Sequence, residues 1–182
     1  MEQSDKNILK GCLNGDRSAQ KALYDKYKVP MFRVCLRYAN SRQEAEDMLQ
    51  DGFIKVFSDL KNFRSDGALG GWIRKVMVNT ALMEIRKRKQ LFSPIEIENI
   101  SDTVTTDENI FAEMNAKALT RIIQKLPTGY RVVFNMYVVE GYPHKEIAEK
   151  LDISINTSKS QLSKAKAMLR RMLEKIIKTD HA

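Results

Sequence analysis

Two histidines and two cysteines are the whole supply of imidazole and thiol in this chain. Cys12 and Cys35 form no CxxC pair and no metal-ligand spacing. Each falls among apolar neighbours, which predicts reduced core thiols in a cytoplasmic protein. His144 lies at the start of a predicted helix and His181 one residue from the end, so neither suggests a catalytic partner. There is no P-loop, no metal cluster and no nucleophile motif. These absences argue against an enzyme, and no metal or other cofactor is expected. What the chain offers instead is a set of side chains suited to recognition.

Three groups stand out. Asn156, Thr157, Lys159, Ser160, Gln161 and Lys164 offer amides, hydroxyls and ammonium groups on one stretch, the donor and acceptor set that reads base edges and phosphates in a major groove. In KNFRSDGALGGW, three glycines, an arginine and an aromatic near either end lie between two helical patterns. Phe63 and Trp72 beside basic side chains are ingredients for stacking an unpaired base. Trp72 is expected in the core, which leaves Phe63, in the loop, as the better stacking residue. Asp47, Gln50, Asp51 and Ile54 recur at spacings of three, four and seven. They form an acidic helix face with one apolar residue, suited either to solvent or to docking a basic partner helix.

The segments that carry these groups read as helices throughout. Pro (4) and Gly (8) are few in 182 residues, which disfavours a sandwich or barrel. Asp16 or Ser18 caps a helix through Ala19, Ala22, Leu23 and Tyr27, which can run on to Tyr38 with a kink or break at Pro30. Ser41 and Glu44 make a capping box for the next helix, whose core stripe is Ala45, Met48, Leu49, Phe53, Val56, Phe57 and Leu60. A fourth helix runs from Trp72 to Lys89, with Trp72, Ile73, Val76, Met77, Thr80 and Ile85 as core candidates, and ends in Arg86–Lys89. That run suits both a helix C-terminus and a phosphate backbone. A helix is expected around 113–126. Tyr130 to Val139 is mostly apolar and is expected to be buried, Gly141 ends it, and Pro143 starts the next helix. Ile147, Ala148 and Leu151, a turn at Asp152 and Ile153, a cap at Ser154, and Leu162, Ala165 and Leu169 inward make a helix-turn-helix pattern.

The charge divides the chain. Residues 1–90 carry a net +7, residues 91–116 carry six acids and no Lys or Arg, and residues 117–182 carry +7 again, for +8 in all. Two basic modules suit a polyanion, whereas the acidic strip would be repelled by it. The strip also reads as a linker, with Pro, Ser, Thr, Asp and Asn and no sustained helical period. The expected fold is therefore all-α, with two small helical domains at 1–90 and 113–182 joined by an acidic linker at 91–112. Apolar residues at 43% can supply the cores. Apolar runs of only a few residues predict no membrane insertion, and the N-terminus shows no signal-peptide pattern.

The order of parts resembles a bacterial RNA polymerase sigma factor of the extracytoplasmic-function (ECF) subfamily. The resemblance is carried by EAEDMLQDGFIKVF, then FRSDGALGGWIRKVMVNTALMEIRKRK, the acidic strip, and LPTGYRVVF, EIAEKLDIS and TSKSQLSKAKAMLRRML, covering about Ile8 to Leu173. It implies that the first module is sigma region 2. Asp47, Gln50, Asp51 and Ile54 would dock on the clamp coiled coil of the polymerase β′ subunit. Phe63, Arg64, Ser65, Asp66 and Asn79 would capture a base flipped from the minus-ten element, with Arg74, Lys75 and Arg86 on phosphates. The second module would be sigma region 4, reading the minus-thirty-five element through Asn156, Thr157, Lys159, Ser160, Gln161 and Lys164. The linker would thread toward the polymerase cleft. Core RNA polymerase (β′ clamp and β subunit) and promoter DNA are the implied partners, and an anti-sigma factor is frequent in the subfamily. The implied function is promoter recognition, DNA opening and transcription initiation.

The chain departs from the family pattern in three places. Asp152 stands at the usual turn glycine, Pro143 at the usual serine, and Ser158 and Gln161 replace an apolar residue and an arginine in the reading helix. The last change bears on sequence preference, since Gln favours adenine where Arg favours guanine. A stand-alone helix-turn-helix regulator is the alternative. It accounts for the second module but not for the acidic face or the glycine-rich loop, and no heptad seam for a dimer is present.

Overall fold

In the computed structural model, residues 3–64, 67–87 and 116–179 are described, and they contain helices and no strand. The chain divides into two compact units at Lys87 and Arg88. The acidic strip at 91–112 lies outside the described residues.

The first unit contains α1 (Gln3–Leu13), α2 (Arg17–Tyr38), α3 (Arg42–Asp59), a 3-10 turn (Leu60–Asn62) and α4 (Leu69–Lys87). Local chemistry sets the starts. Asp16 caps α2, its carboxylate accepting from the Ser18 N–H at 2.8 Å. The Ser41 hydroxyl caps α3 by accepting from the Glu44 N–H at 3.1 Å. Glu44 reaches back to the N–H of Asn40 at 2.9 Å, one residue earlier than a standard capping box would place it. Pro30 neither ends nor interrupts α2. It sits on the exposed side, where water can satisfy the carbonyl that its missing N–H leaves free.

α2 packs on α1, α3 and α4, and α3 packs on α4. Leu23, Cys35, Tyr38, Ala45, Val56, Ile73 and Met77 are fully enclosed in this core. The expected α3 stripe is largely inside: Ala45, Met48, Phe53, Val56 and Leu60 are buried, and Leu49 and Phe57 are half-buried. Gly52 permits the close approach of α3 to α4, because a Cβ there would lie 2.2 Å from the Met77 sulfur. Asp5 ties α1 down from a buried position, accepting from Lys26 Nζ at 2.7 Å and from the Tyr27 hydroxyl at 3.1 Å.

The second unit contains α5 (Ala116–Gln124), α6 (Thr128–Phe134), a π-helical segment (Asn135–Val139), α7 (His144–Leu151) and α8 (Ile155–Thr179). The long α8 is its spine, with α5, α6 and α7 packed along it. Ile122, Ile123, Leu126, Ala165 and Leu169 form one buried cluster. Arg131 is buried and donates from Nη1 to the carbonyls of Gln124 and Leu126, at 2.9 and 3.2 Å. A cation there satisfies carbonyls left over at the end of α5.

The expectation that Tyr130 to Val139 is buried fails at its end, and Tyr130 and Phe134 are only half-buried. Val132, Val133 and Met136 are enclosed, but Tyr137, Val138 and Val139 are 40, 50 and 37% exposed. The cause is the wider turn. The Glu140 N–H bonds to the carbonyl of Asn135, five residues back, at 2.9 Å, and such a turn rotates the following side chains off the α-helical stripe. Gly141 then reverses the chain at φ +76°.

Candidate polymerase and nucleic-acid interfaces

On α3, the side opposite the core carries Asp47, Gln50, Asp51 and Ile54, all exposed. Ile54 is 61% exposed, the largest value among the large apolar side chains in the described residues. No packing inside the unit accounts for it. Close by in charge is Lys87. Its ammonium is held by Glu84 at 2.6 Å, and its pKa is raised first by that hydrogen bond and further by the charges of Glu84 and Asp51.

The glycine-rich loop leaves the 3-10 turn at Phe63 and enters α4 at Leu69. Phe63 and Trp72 are both half-buried, with ring centroids 5.5 Å apart at 48°. Trp72 is thus not a core residue as expected. It lies at the start of α4, outside the stripe of Ile73, Met77, Ala81 and Ile85, and pairs with the loop aromatic. Helical spacing places Trp72, Lys75, Asn79 and Arg86 within an arc of roughly 60° on α4. Lys75 and Arg86 are exposed and Asn79 is half-buried. Arg74 falls on the other side of the helix, half-buried near the core stripe, so the structure does not bring it together with them. Arg64 is exposed, and Ser65 and Asp66 lie outside the described residues.

In the second unit α7, a tight turn and α8 form a helix-turn-helix. Asp152 takes the left-handed conformation at φ 56°, ψ 50° that a turn glycine would otherwise supply. The Ile153 N–H closes the turn on the Ala148 carbonyl at 3.1 Å. Ser154 caps α8, its hydroxyl accepting from the Thr157 N–H at 2.9 Å. Asn156, Lys159, Ser160 and Lys164 are exposed on the leading turns of α8. Thr157 is half-buried, with its hydroxyl 2.9 Å from that of Ser154, and the Ser160 hydroxyl donates to the Thr157 carbonyl at 3.0 Å. Gln161 is half-buried too, and its Oε1 is enclosed without a hydrogen-bond partner among the described residues. The leading face is therefore less uniformly open than the sequence pattern suggests.

Two residues of the helix-turn-helix escaped the sequence reading. Ile155 opens α8 at 44% exposure and offers an apolar contact of the kind that meets a thymine methyl. A helical wheel begun one residue earlier would have included it. His144 lies against Tyr137, ring centroids 4.5 Å apart and nearly parallel, and its Nδ1 is 2.9 Å from the hydroxyl of the fully buried Ser158. Burial first, and then the charges of Lys159 and Lys166, hold its pKa below the usual imidazole value. The sequence showed Ser158 only as a departure and gave no signal for its partner.

Comparison with known proteins agrees with this geometry. The family "Sigma-70 region 2" matches residues 23–90, and "Sigma-70, region 4" matches residues 116–169. The chain is similar to the ECF RNA polymerase sigma factor SigW of Bacillus subtilis, 25% identical over 95% of this chain and 98% of the relative. It is likewise similar to the ECF RNA polymerase sigma-E factor of Haemophilus influenzae, 26% identical over 96% of this chain and 97% of the relative. Among solved structures, CnrH in complex with the cytosolic domain of CnrY shares the fold at a TM-score of 0.50 and 18% identity, covering 94% of this chain and 98% of that one. With both sigma regions matched in order and relatives of this subfamily aligned along nearly the whole length, the chain belongs to the sigma-70 family of RNA polymerase sigma factors, in its extracytoplasmic-function subfamily.

Proposed function

We propose that this chain, which as an ECF sigma factor binds core RNA polymerase and directs promoter recognition and transcription initiation, divides that work between its two units. The α3 face of Asp47, Gln50, Asp51 and Ile54 docks on a basic helical surface of the polymerase β′ clamp. The observation that carries this assignment is Ile54, 61% exposed on the same face as Asp47, Gln50 and Asp51 and with no role in its own core. An exposed apolar side chain beside polar ones is a common feature of docking sites.

The Phe63–Trp72 pair and the Lys75, Asn79, Arg86 side of α4 receive the opened minus-ten strand. Flipping a base costs a few kcal/mol of unstacking, which stacking on an aromatic side chain and phosphate contacts offset. Domain boundaries at 1–90 and 113–182 give each surface its own folded support. In the second unit α8 enters the major groove of the minus-thirty-five element. Lys159 and Lys164 supply phosphate affinity, and Asn156, Ile155 and Gln161 supply sequence preference. The acidic linker runs toward the basic polymerase cleft. The protein acts in the cytoplasm as a binding factor, without catalysis of its own. An anti-sigma factor that covers the α3 face would silence it, and the helix-turn-helix alone would not explain that face.

The test is co-elution of the purified full chain with bacterial core RNA polymerase on a sizing column at moderate salt. A one-to-one complex that another sigma factor displaces is the expected result. Binding to duplex DNA with no polymerase complex would overturn the docking assignment and favour a free-standing regulator.

A further inference from the structure

A serine hydroxyl inside a small helical core must find a partner, because a buried hydroxyl without one costs free energy comparable to a lost hydrogen bond. Ser158 is 0% exposed on the inner side of the reading helix, whose next buried residues, Leu162 and Ala165, are apolar. Its hydroxyl has one partner among the described residues, Nδ1 of His144, the first residue of α7. The His144 ring is fixed on its other side. It lies face to face with Tyr137 at 4.5 Å and 25°, and the Lys166 ammonium stands over that tyrosine ring at 6.0 Å. The contact thus joins three elements: the π-helical segment through Tyr137, α7 through His144, and α8 through Ser158. Two of the three are the helices of the helix-turn-helix.

We propose that His144 is a positioning residue for DNA recognition, a strut between Tyr137 and the Ser158 hydroxyl that fixes the angle at which α8 projects its leading residues. The strut acts one position away from Thr157 and Lys159, so a small rotation of α8 about Ser158 displaces the side chains that meet DNA. None of Tyr137, His144 and Ser158 belongs to the apolar cluster that joins α5 to α8. Losing it should therefore change the fit to DNA more than the survival of the fold. Replacing both polar partners with apolar ones restores a satisfied contact, whereas replacing one leaves the other unpaired.

The inference rests on α8 being the reading helix, and the experiment separates the two. The full chain bound to core polymerase is used to enrich a preferred 30-base-pair duplex from a random library. Affinity for that duplex and for a scrambled control is then measured for wild type, His144→Phe, Ser158→Val, the double variant and Lys159→Ala. Coupled contacts of this kind carry roughly threefold to a hundredfold in equilibrium constants. His144→Phe and Ser158→Val should each lower the preferred-to-control ratio about threefold to tenfold, and the double variant should regain at least half of the logarithmic loss. His144→Asn, which keeps a hydrogen-bonding atom near the Nδ1 position, should lose least. Circular dichroism identifies any variant that fails to fold, in which case His144→Asn and Ser158→Ala take its place. Ratios within twofold of wild type for both single variants, or a double variant equal to the product of the singles, would overturn the strut. If Lys159→Ala also left DNA affinity unchanged, α8 would not be the reading helix, and the failure would lie in that assignment instead.

Discussion

Truncating Ile54 to alanine isolates the apolar part of the proposed polymerase contact from its charges. The substitution removes three carbons from a side chain that is 61% exposed. At about 0.8 kcal/mol per buried methylene, full coverage of the exposed share by a partner corresponds to roughly 1–2 kcal/mol, or about a fivefold to thirtyfold weaker complex. In the free protein the same carbons meet mostly water, and alanine is the better helix former by a few tenths of a kcal/mol. Stability should therefore stay constant or rise slightly. The assay is displacement of a fluorescent reference sigma factor from core polymerase by unlabelled wild type or variant, with urea unfolding of each protein alongside. A displacement curve that overlays the wild type would remove Ile54 from the contact, because the most exposed apolar side chain of the face would then contribute nothing to docking. A loss of stability equal to the loss of binding would do so differently, by assigning the side chain to the unit's own packing.

Asp51→Arg should weaken the polymerase complex by roughly tenfold or more while the helical content is unchanged, because it reverses charge at a rim meant for a basic partner; equal binding would remove the residue from the interface. Lys159→Ala should weaken DNA binding across sequences and lower the salt dependence by about one phosphate contact, whereas Gln161→Ala should relax preference at one base pair. Affinity titrations on a set of point-mutated duplexes tell these patterns apart. Asp152→Gly should stabilise the second unit by up to about 1 kcal/mol, since glycine adopts the left-handed turn without side-chain strain; an unchanged urea midpoint would mean that Asp152 sits there at no cost. Because burial and two lysines lower the His144 pKa from 6.5, the unfolded chain binds the proton more readily than the folded one. That contribution to stability is present above pH 6.5 and is lost as the pH falls through the folded value. The unfolding step that Trp72 fluorescence does not follow should move to lower urea between pH 7.5 and 5, and His144→Phe should flatten that trend.

Helix starts proved readable because they depend on neighbours in sequence. Asp16 and Ser41 need only an N–H two or three residues on, and both caps are where the spacing placed them. The α3 stripe was readable for a similar reason, since a period of 3.6 separates Met48 and Val56 from Asp47 and Asp51 whatever the tertiary partner is. The exposure of Asp47, Gln50, Asp51 and Ile54 followed from the same arithmetic. What the sequence concealed depends on contacts distant along the chain. Trp72 looks like core because of its size, but its ring is claimed by Phe63 across a glycine-rich loop. Gly52 looks like a weak point in a helix until the Met77 sulfur occupies the space a methyl would take. The outward turn of Tyr137 to Val139 comes from one extra residue in a helical turn, which no hydrophobic pattern announces. Ser158 read as a departure because its partner is fourteen residues away.

The enclosure of the two cysteines has a practical chemical consequence. Cys35 is 0% exposed, and burial pushes its thiol up to about 12; Cys12 is raised as well, first by burial and then by the Asp16 carboxylate. Nucleophilic attack by sulfur runs through the thiolate, so at neutral pH both native sulfurs should react with maleimides and mild peroxide far more slowly than an open thiol. A single cysteine installed at a solvent-facing site such as Ser160 or Gln50 would then take up a fluorophore selectively in the otherwise native chain. Either label would report engagement of its own surface in real time, with no need to remove a core sulfur first.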